Sequence, residues 1–248
     1  MIVQADARRI PLSDGSVHMI VTSPPYWNAR EYSSWPTYEG YLVDMAHAWE
    51  ECFRVLCDGG RIAVNINLGY GRPGQAFGYI LIGDDTARAL CAAGFALRGH
   101  IVWNKSNGTN RSGATGTGWG SWRSASDPCL RDAHEVIIVA HKGRANRGDG
   151  ESTISAEDFM EATNSVWNIV PASQSWHPAP FPDEIPRRLI ELYTFRGDVV
   201  LDPFLGSGTT ARVAAALGRR GIGLELNWGY ARRSIDRLPQ LRLLETPA

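Results

Sequence analysis

Two short stretches hold residues whose types and order could do chemistry. In the first, the apolar, β-branched run Asp198-Val199-Val200-Leu201 passes through Asp202-Pro203-Phe204-Leu205 into a Gly206-Ser207-Gly208 turn, and Thr209 to Leu217 is Ala-rich and helix-forming. Strand, glycine turn and helix is how a doubly wound sheet brings its backbone close to a nucleotide-like ligand. Roughly twenty residues on, Gly221 to Leu226 reads as another apolar strand, and its Glu225 is placed like the acid that grips two ribose hydroxyls in the dinucleotide fingerprint. The glycine pattern is weak by itself, but the ordered set points to a nucleoside cofactor.

The second stretch is Thr22-Ser23-Pro24-Pro25-Tyr26-Trp27, directly after the strand pattern Val17 to Val21. Two consecutive prolines cannot continue a ladder, and they hold the backbone extended and stiff. A rigid turn with two packed rings accounts for a lone Pro-Pro-Tyr. Its position after a buried strand, in a chain with a nucleoside-type loop elsewhere, argues for more.

Positioning these stretches needs a sheet. Met1 to Asp6 reads as a short strand ending in an acid, with the expectation that little precedes it. Pro11 to Gly15 is turn chemistry. Tyr38 to Leu56 is an amphipathic helix with Tyr41, Met45, Ala48, Trp49, Cys52, Phe53 and Leu56 on one face, stopped by Asp58-Gly59-Gly60. Strands follow at 61–67, 99–105 and 135–141, with a glycine-rich loop at 69–78 and a helix at 79–93 between the first two. The stiff segment Trp176 to Pro182 leads into a helix from Asp183 to Phe195. Neither half has enough sheet to stand alone. The predicted fold is therefore α/β, one domain over 1–248: a Rossmann-like, doubly wound, mostly parallel sheet. The strand before Asp202 lies centrally beside the strand before Ser23, so both loops leave the same carboxyl edge.

A chain of 248 residues with 44% apolar residues can bury a large core without disulfides. Lys and Arg number 25 against 26 Asp and Glu, a net charge of −1, so any polyanionic partner must meet a local patch. Cys52, Cys57, Cys91 and Cys129 form no CxxC pair and no metal-ligand spacing, and read as reduced cytosolic thiols with no metal site. Nothing approaches the roughly 18 apolar residues of a membrane span, and no signal region opens the chain. Ser106 to Arg131 is long and polar, with Trp119, Trp122, Arg111, Arg123 and Arg131 beside Lys105, against the acids Asp127 and nearby Asp132. A second polar segment, 142–164, opens with Lys142, Arg144 and Arg147. A solvated face explains any one of these charges; basic and aromatic residues together suggest a nucleic-acid footprint, and the two readings balance. His177 has no Cys or His at metal spacing and reads as structural.

The pair Ser-Pro-Pro-Tyr and Asp-Pro-Phe-Leu-Gly-Ser-Gly-Thr, in that order, resembles the amino-group DNA methyltransferases, and its motif order resembles their beta group. The resemblance covers nearly the whole chain, through Gln4 to Asp6, Thr22 to Trp27, Gly59 to Asn67, Ile101 to Lys105, His134 to Lys142, His177 to Pro182 and Asp202 to Glu225. Together these pieces are highly specific. The resemblance implies a circularly permuted class I methyltransferase fold and S-adenosylmethionine as methyl donor. Asp202, Pro203, Phe204, Gly206 and Gly208 would form the cofactor loop, with Ser207 and Thr209 adding hydrogen bonds. Glu225 would take the ribose, His177 and Pro178 would close over the methionine end, and Asp6 would lie on the adenosine side. Ser23, Pro24, Pro25 and Tyr26 would be catalytic. Double-stranded DNA would be the partner, gripped by the recognition loops 105–131 and 142–164 through Lys105, Arg111 and Arg123. A cytoplasmic location in a prokaryote or phage, a homodimer and a cognate restriction endonuclease are further expectations from the family.

The implied chemistry suits the residues. An exocyclic base amine is a poor nucleophile because its lone pair is delocalised into the ring. Acceptors at Ser23 and the Pro24 carbonyl favour a tetrahedral nitrogen, and stiff prolines orient them. The base must first leave the duplex, where Tyr26 would stack on it. Ring-carbon methylation needs a cysteine nucleophile, and Pro128-Cys129 reads as a chance dipeptide in a polar loop. In the family, Ser at the first motif position goes mostly with the 4-amino group of cytosine, and Asp or Asn mostly with the 6-amino group of adenine. A hydroxyl that also donates to a ring nitrogen gives a physical reason for that preference. The rival readings are adenine N6 methylation, an RNA or protein amine methyltransferase, a nicotinamide enzyme, and a DNA-binding relative without catalysis.

Overall fold

The structure is a computed structural model that describes residues 1–27, 34–69, 79–105, 121–128, 130, 133–148, 150–172, 182–237 and 243–244. In chain order it begins β1 (Ile2–Gln4), β2 (Val17–Thr22), α1 (Tyr38–Val55), β3 (Leu56–Ile66), α2 (Ile82–Ala92), β4 (Ala96–Asn104) and β5 (His134–His141). There follow α3 (Ala156–Ala162), β6 (Val166–Asn168), α4 (Glu184–Tyr193), β7 (Val199–Asp202), α5 (Thr209–Ala216), β8 (Arg220–Glu225), α6 (Trp228–Arg237) and β9 (Leu243–Leu244). Among the described residues one sheet forms, in the order β6-β4-β5-β3-β2-β7-β8-β1-β9. Every pairing is parallel except those of β5, which runs antiparallel to both β3 and β4. This is the class I methyltransferase fold, with the strand before the glycine turn late in the chain but central in the sheet.

Alternation along the strands sorts the core into two layers. Ile20, Ile62, Val64, Val136, Ile138, Val199 and Leu201 face one side, where Tyr41, Met45, Trp49, Cys52 and Val55 of α1 cover them. Met19, Val21, Ala63, Ile137, Val139 and Val200 face the other side, under Ile185, Leu189 and Ile190 of α4 and Val213 of α5. The predicted face of α1 is the buried one, apart from Phe53, which is half-buried and packs edge-on against Phe95 with centroids 5.1 Å apart.

Three departures from the sequence reading have physical causes. Asp58-Gly59-Gly60 does not stop α1: the helix ends at Val55, and Leu56 turns extended to start β3, which runs through both glycines. The extra residues there appear as a register jump, Val17 facing Leu56 and Met19 facing Arg61. The segment 142–164 is not one polar loop either. Ser155 caps α3 by accepting from the Asp158 amide at 3.0 Å, a Ser-x-x-acid box that the sequence carries in plain view. The third is β6, whose three residues are too few for any periodicity; buried Trp167 anchors it beside β4.

The antiparallel β5 fixes which loop lies at which edge. Ile66 pairs with Val136 and Asn104 with His134, so the β4–β5 connection opens at the carboxyl edge of the parallel strands. Arg61 pairs with His141, so the chain after β5 emerges at the opposite edge.

Candidate active site

The stretches after β2 and β7 are brought together by adjacent parallel strands, with Ile20 beside Leu201. Above that pair, the Thr22 hydroxyl donates to Asp202 Oδ1 at 2.6 Å across 180 residues of sequence. The same oxygen accepts the Phe204 amide at 3.1 Å, which bends the chain into the glycine turn. Asp202 is fully buried. Burial pushes its carboxyl up to about 6, against the opposing pull of those hydrogen bonds. The residue expected in the cofactor loop is thus also a latch between the two loops.

In the glycine turn, Gly206 and Gly208 take positive φ values of 52° and 82°, a region that a Cβ disfavours, and Gly208 caps α5. Glu225, at the end of β8, accepts the Gly206 amide at 3.0 Å on one carboxylate oxygen and the Asn227 amide at 2.9 Å on the other. Burial raises its pKa, and those amide bonds oppose the rise. Ser207 and Thr209 hydroxyls lie 2.9 Å apart, and Ser234 of α6 donates to the Gly206 carbonyl at 2.8 Å. Phe204 packs edge-on against Trp49, with ring centroids 6.1 Å apart. A bare backbone turn at a helix start, next to a carboxylate with spare acceptor sites, suits a nucleoside cofactor. Asp6 follows β1, whose Gln4 pairs with Glu225, so it stands at the same edge. Its carboxylate meets Arg8 at 2.7 Å, and that guanidinium, which also reaches Asp44 at 2.8 Å, holds Asp6 below the usual carboxylate range.

On the other side of the latch, Ser23 is half-buried and Pro24 buried. The Tyr26 hydroxyl lies 3.2 Å from Glu135 Oε2 and 3.4 Å from Ser23 Oγ. The Asn65 amide nitrogen donates to the same Glu135 oxygen at 2.6 Å. Lys105 pairs with the other Glu135 oxygen, its ammonium 4.7 Å from the Trp103 ring centroid. Burial pushes the Tyr26 phenol far above its ordinary value, and the Glu135 charge adds to that. Sequence reasoning missed Asn65 and Glu135. Their signal was a lone amide and a lone carboxylate inside otherwise apolar strand runs at the carboxyl edge.

The remaining expected residues divide by place. His177, Pro178 and Arg111 lie outside the described residues. Arg123 is exposed in the β4–β5 connection, next to Trp122, while the Lys105 cation is engaged by Glu135. The basic residues that open 142–164 sit at the opposite edge, each with a partner in the fold. Lys142 donates to the carbonyls of Phe53 and Arg54 at the end of α1, at 2.6 and 3.2 Å. Arg144 pairs with Asp58 at 3.2 Å, and partly buried Arg147 pairs with Asp198 over the Phe195 ring.

Comparison with known proteins gives the family. The DNA methylase family of N6 and N4 methyltransferases matches over residues 17–236, and the chain belongs to that family. Among its relatives, type II methyltransferase M.Cfr9I of Citrobacter freundii is 32% identical over 93% of this chain and 83% of its own length. M.MjaI of Methanocaldococcus jannaschii is 30% identical over 91% of this chain and 86% of its own. The chain spans 27% of the length of the beta methyltransferase M.BslI of a Bacillus strain, which is 30% identical over 95% of this chain. A solved structure of a DNA modification methylase from Thermus thermophilus, complexed with S-adenosyl-L-methionine, superposes with a TM-score of 0.78 at 28% identity. That superposition covers 100% of this chain and 98% of the other.

Proposed function

We propose that this protein transfers a methyl group from S-adenosylmethionine to the exocyclic amine of a DNA base turned out of the duplex, and that the amine is N4 of cytosine. The observation that carries the reading is the 2.6 Å Thr22–Asp202 bond, which sets the Ser-Pro-Pro-Tyr turn directly beside the glycine loop. When bound, the cofactor supplies a methyl group on a sulfonium centre. Gly206 and Gly208 leave the backbone open to it, the amides at the start of α5 present donors, and Glu225 keeps acceptor sites for the ribose. Ser23 Oγ and the Pro24 carbonyl accept from the amine hydrogens, and the two prolines hold those acceptors still. The β4–β5 connection starts and ends at the same edge, where Asn104 pairs with His134, and that edge, with exposed Arg123 in the connection, is where we assign DNA.

Ser23, where relatives acting on adenine carry mostly Asp or Asn, favours cytosine. The test is transfer of labelled methyl groups from S-adenosylmethionine to duplex DNA, digestion to nucleosides and mass spectrometry. We expect 4-methylcytosine. A 6-methyladenine product overturns the cytosine assignment and keeps the amine reaction; label in RNA alone overturns the DNA reading.

A further inference from the structure

Resting on that reading, we propose that Glu135 is a positioning residue that sets the direction of a hydrogen-bond chain through Tyr26, so that Ser23 meets the amine as a pure acceptor. Glu135 is almost enclosed, with its side chain 12% exposed, and it comes from β5, which runs antiparallel to both its neighbours. Three donors converge on its carboxylate: the Tyr26 hydroxyl, the Asn65 amide and the Lys105 ammonium. A carboxylate meeting a cation and two neutral donors only accepts.

The rest follows by counting protons. A phenol has one hydrogen. Tyr26 gives it to Glu135, so its oxygen only accepts, from the Ser23 hydroxyl and from the Asn65 amide, each 3.4 Å away. The Ser23 hydroxyl hydrogen then points at Tyr26, and both Ser23 lone pairs remain for the amine. Without Glu135 the chain could run either way, and half of those arrangements aim the Ser23 hydrogen at the substrate. One consequence bears on base choice. A Ser23 hydrogen committed to Tyr26 is not available to a ring nitrogen of the base, so the cytosine proposal rests on the residue type at 23 and not on donation from it.

Glu135→Gln keeps the shape but adds donor hydrogens, which frees Tyr26 to turn. We expect kcat for methyl transfer to fall about tenfold or more, the cost of one misdirected hydrogen bond, with S-adenosylmethionine affinity and KM for DNA unchanged. Tyr26→Phe, which keeps the ring, should give a similar loss. The double variant should lose no more than either single one, because both act through the same chain. Losses that multiply, an unchanged kcat in either variant, or cofactor affinity falling together with kcat would each overturn the proposal. If Glu135→Gln does not fold, Tyr26→Phe decides by itself: a tenfold fall in kcat supports the chain and an unchanged kcat overturns it. A second readout needs no turnover. The Tyr26 phenol, followed by ultraviolet difference against Tyr26→Phe, should ionise at lower pH in Glu135→Gln, and an unmoved titration overturns the link. Failure of the parent protein to methylate any nucleic acid would sink the proposed function, while this titration would still test Glu135 against Tyr26.

Discussion

The glycine loop after β7 and the Ser23 turn after β2 leave neighbouring strands side by side, yet different kinds of bond hold them. In the glycine loop the groups that are held are backbone: the Asp202 and Glu225 carboxylates take the amides of Phe204 and Gly206, and Gly208 caps α5. The Ser23 turn is fixed by side chains arriving from β3, β4 and β5, with Tyr26, Asn65, Lys105 and Glu135 in one cluster. A ligand gripped through backbone amides tolerates change in most side chains around it. A reacting group aimed by a side-chain chain does not. The cofactor end should therefore respond to few substitutions and the target end to several.

The largest effect expected at the cofactor end is at Glu225. Glu225→Ala removes the acceptor we propose for the ribose and frees the Gly206 and Asn227 amides. Charge-assisted bonds are worth roughly 1.5–3 kcal/mol, so S-adenosylmethionine affinity should fall about tenfold or more. Calorimetry on a folded variant with unchanged affinity would remove Glu225 from the cofactor site. Ser207→Ala, by contrast, should change affinity little, because the Gly206 and Gly208 backbone does not depend on that hydroxyl.

Next in size is the latch that joins the two ends. Thr22→Val keeps the side-chain shape, deletes the donor to Asp202 and leaves a buried carboxyl with one fewer hydrogen bond. A loss of about 1–3 kcal/mol in stability is expected, read by urea titration, together with a fall in activity as the loops lose register. Full activity in a destabilised variant would mean that the latch serves folding and not alignment.

Asp202 also gives a pH signature with a definite sign. Its folded pKa, about 6, lies above the ordinary value of 3.8, so the folded state holds the proton more tightly than the unfolded one. The stability gained this way is fully present below the ordinary value and is lost as pH rises through about 6. Asp202→Asn should flatten that part of the profile, by an amount on the order of 1–3 kcal/mol between acid and neutral pH. Parallel stability profiles for the parent and the variant over that window would show that Asp202 keeps its ordinary pKa in the fold.

The same contrast explains what could be read from the residues. The glycine loop, Glu225 and the α/β alternation were legible because each is local: β-branched runs, a glycine turn and an acid at the end of the next strand. The adjacency of β2 and β7 was legible through the rules of a doubly wound sheet. Glu135 and Asn65 were not, because their meaning comes from register across β3, β4 and β5, which no window of sequence contains. The charges depend on register in the same way. Lys142, Arg144 and Arg147 look like a basic cluster along the chain, but an antiparallel strand delivers them to the far edge, where they meet the Arg54 carbonyl, Asp58 and Asp198.

The smallest effect separates the two edges of the sheet. If DNA lies at the carboxyl edge, Arg123 is free to meet a phosphate, whereas Arg144 is tied to Asp58 at the other edge. Each phosphate contact releases about 0.9 counterion in B-form DNA, so Arg123→Ala should reduce the slope of log affinity against log salt by roughly one. Arg144→Ala removes an exposed ion pair, and such pairs contribute at most about 1 kcal/mol to stability. It should leave the salt slope unchanged, since no phosphate is displaced with it. Equal slopes for Arg123→Ala and the parent would take DNA off the β4–β5 connection. A flattened slope for Arg144→Ala alone would put DNA at the opposite edge, away from Ser23, and would break the arrangement in which one sheet edge holds cofactor, target base and duplex together.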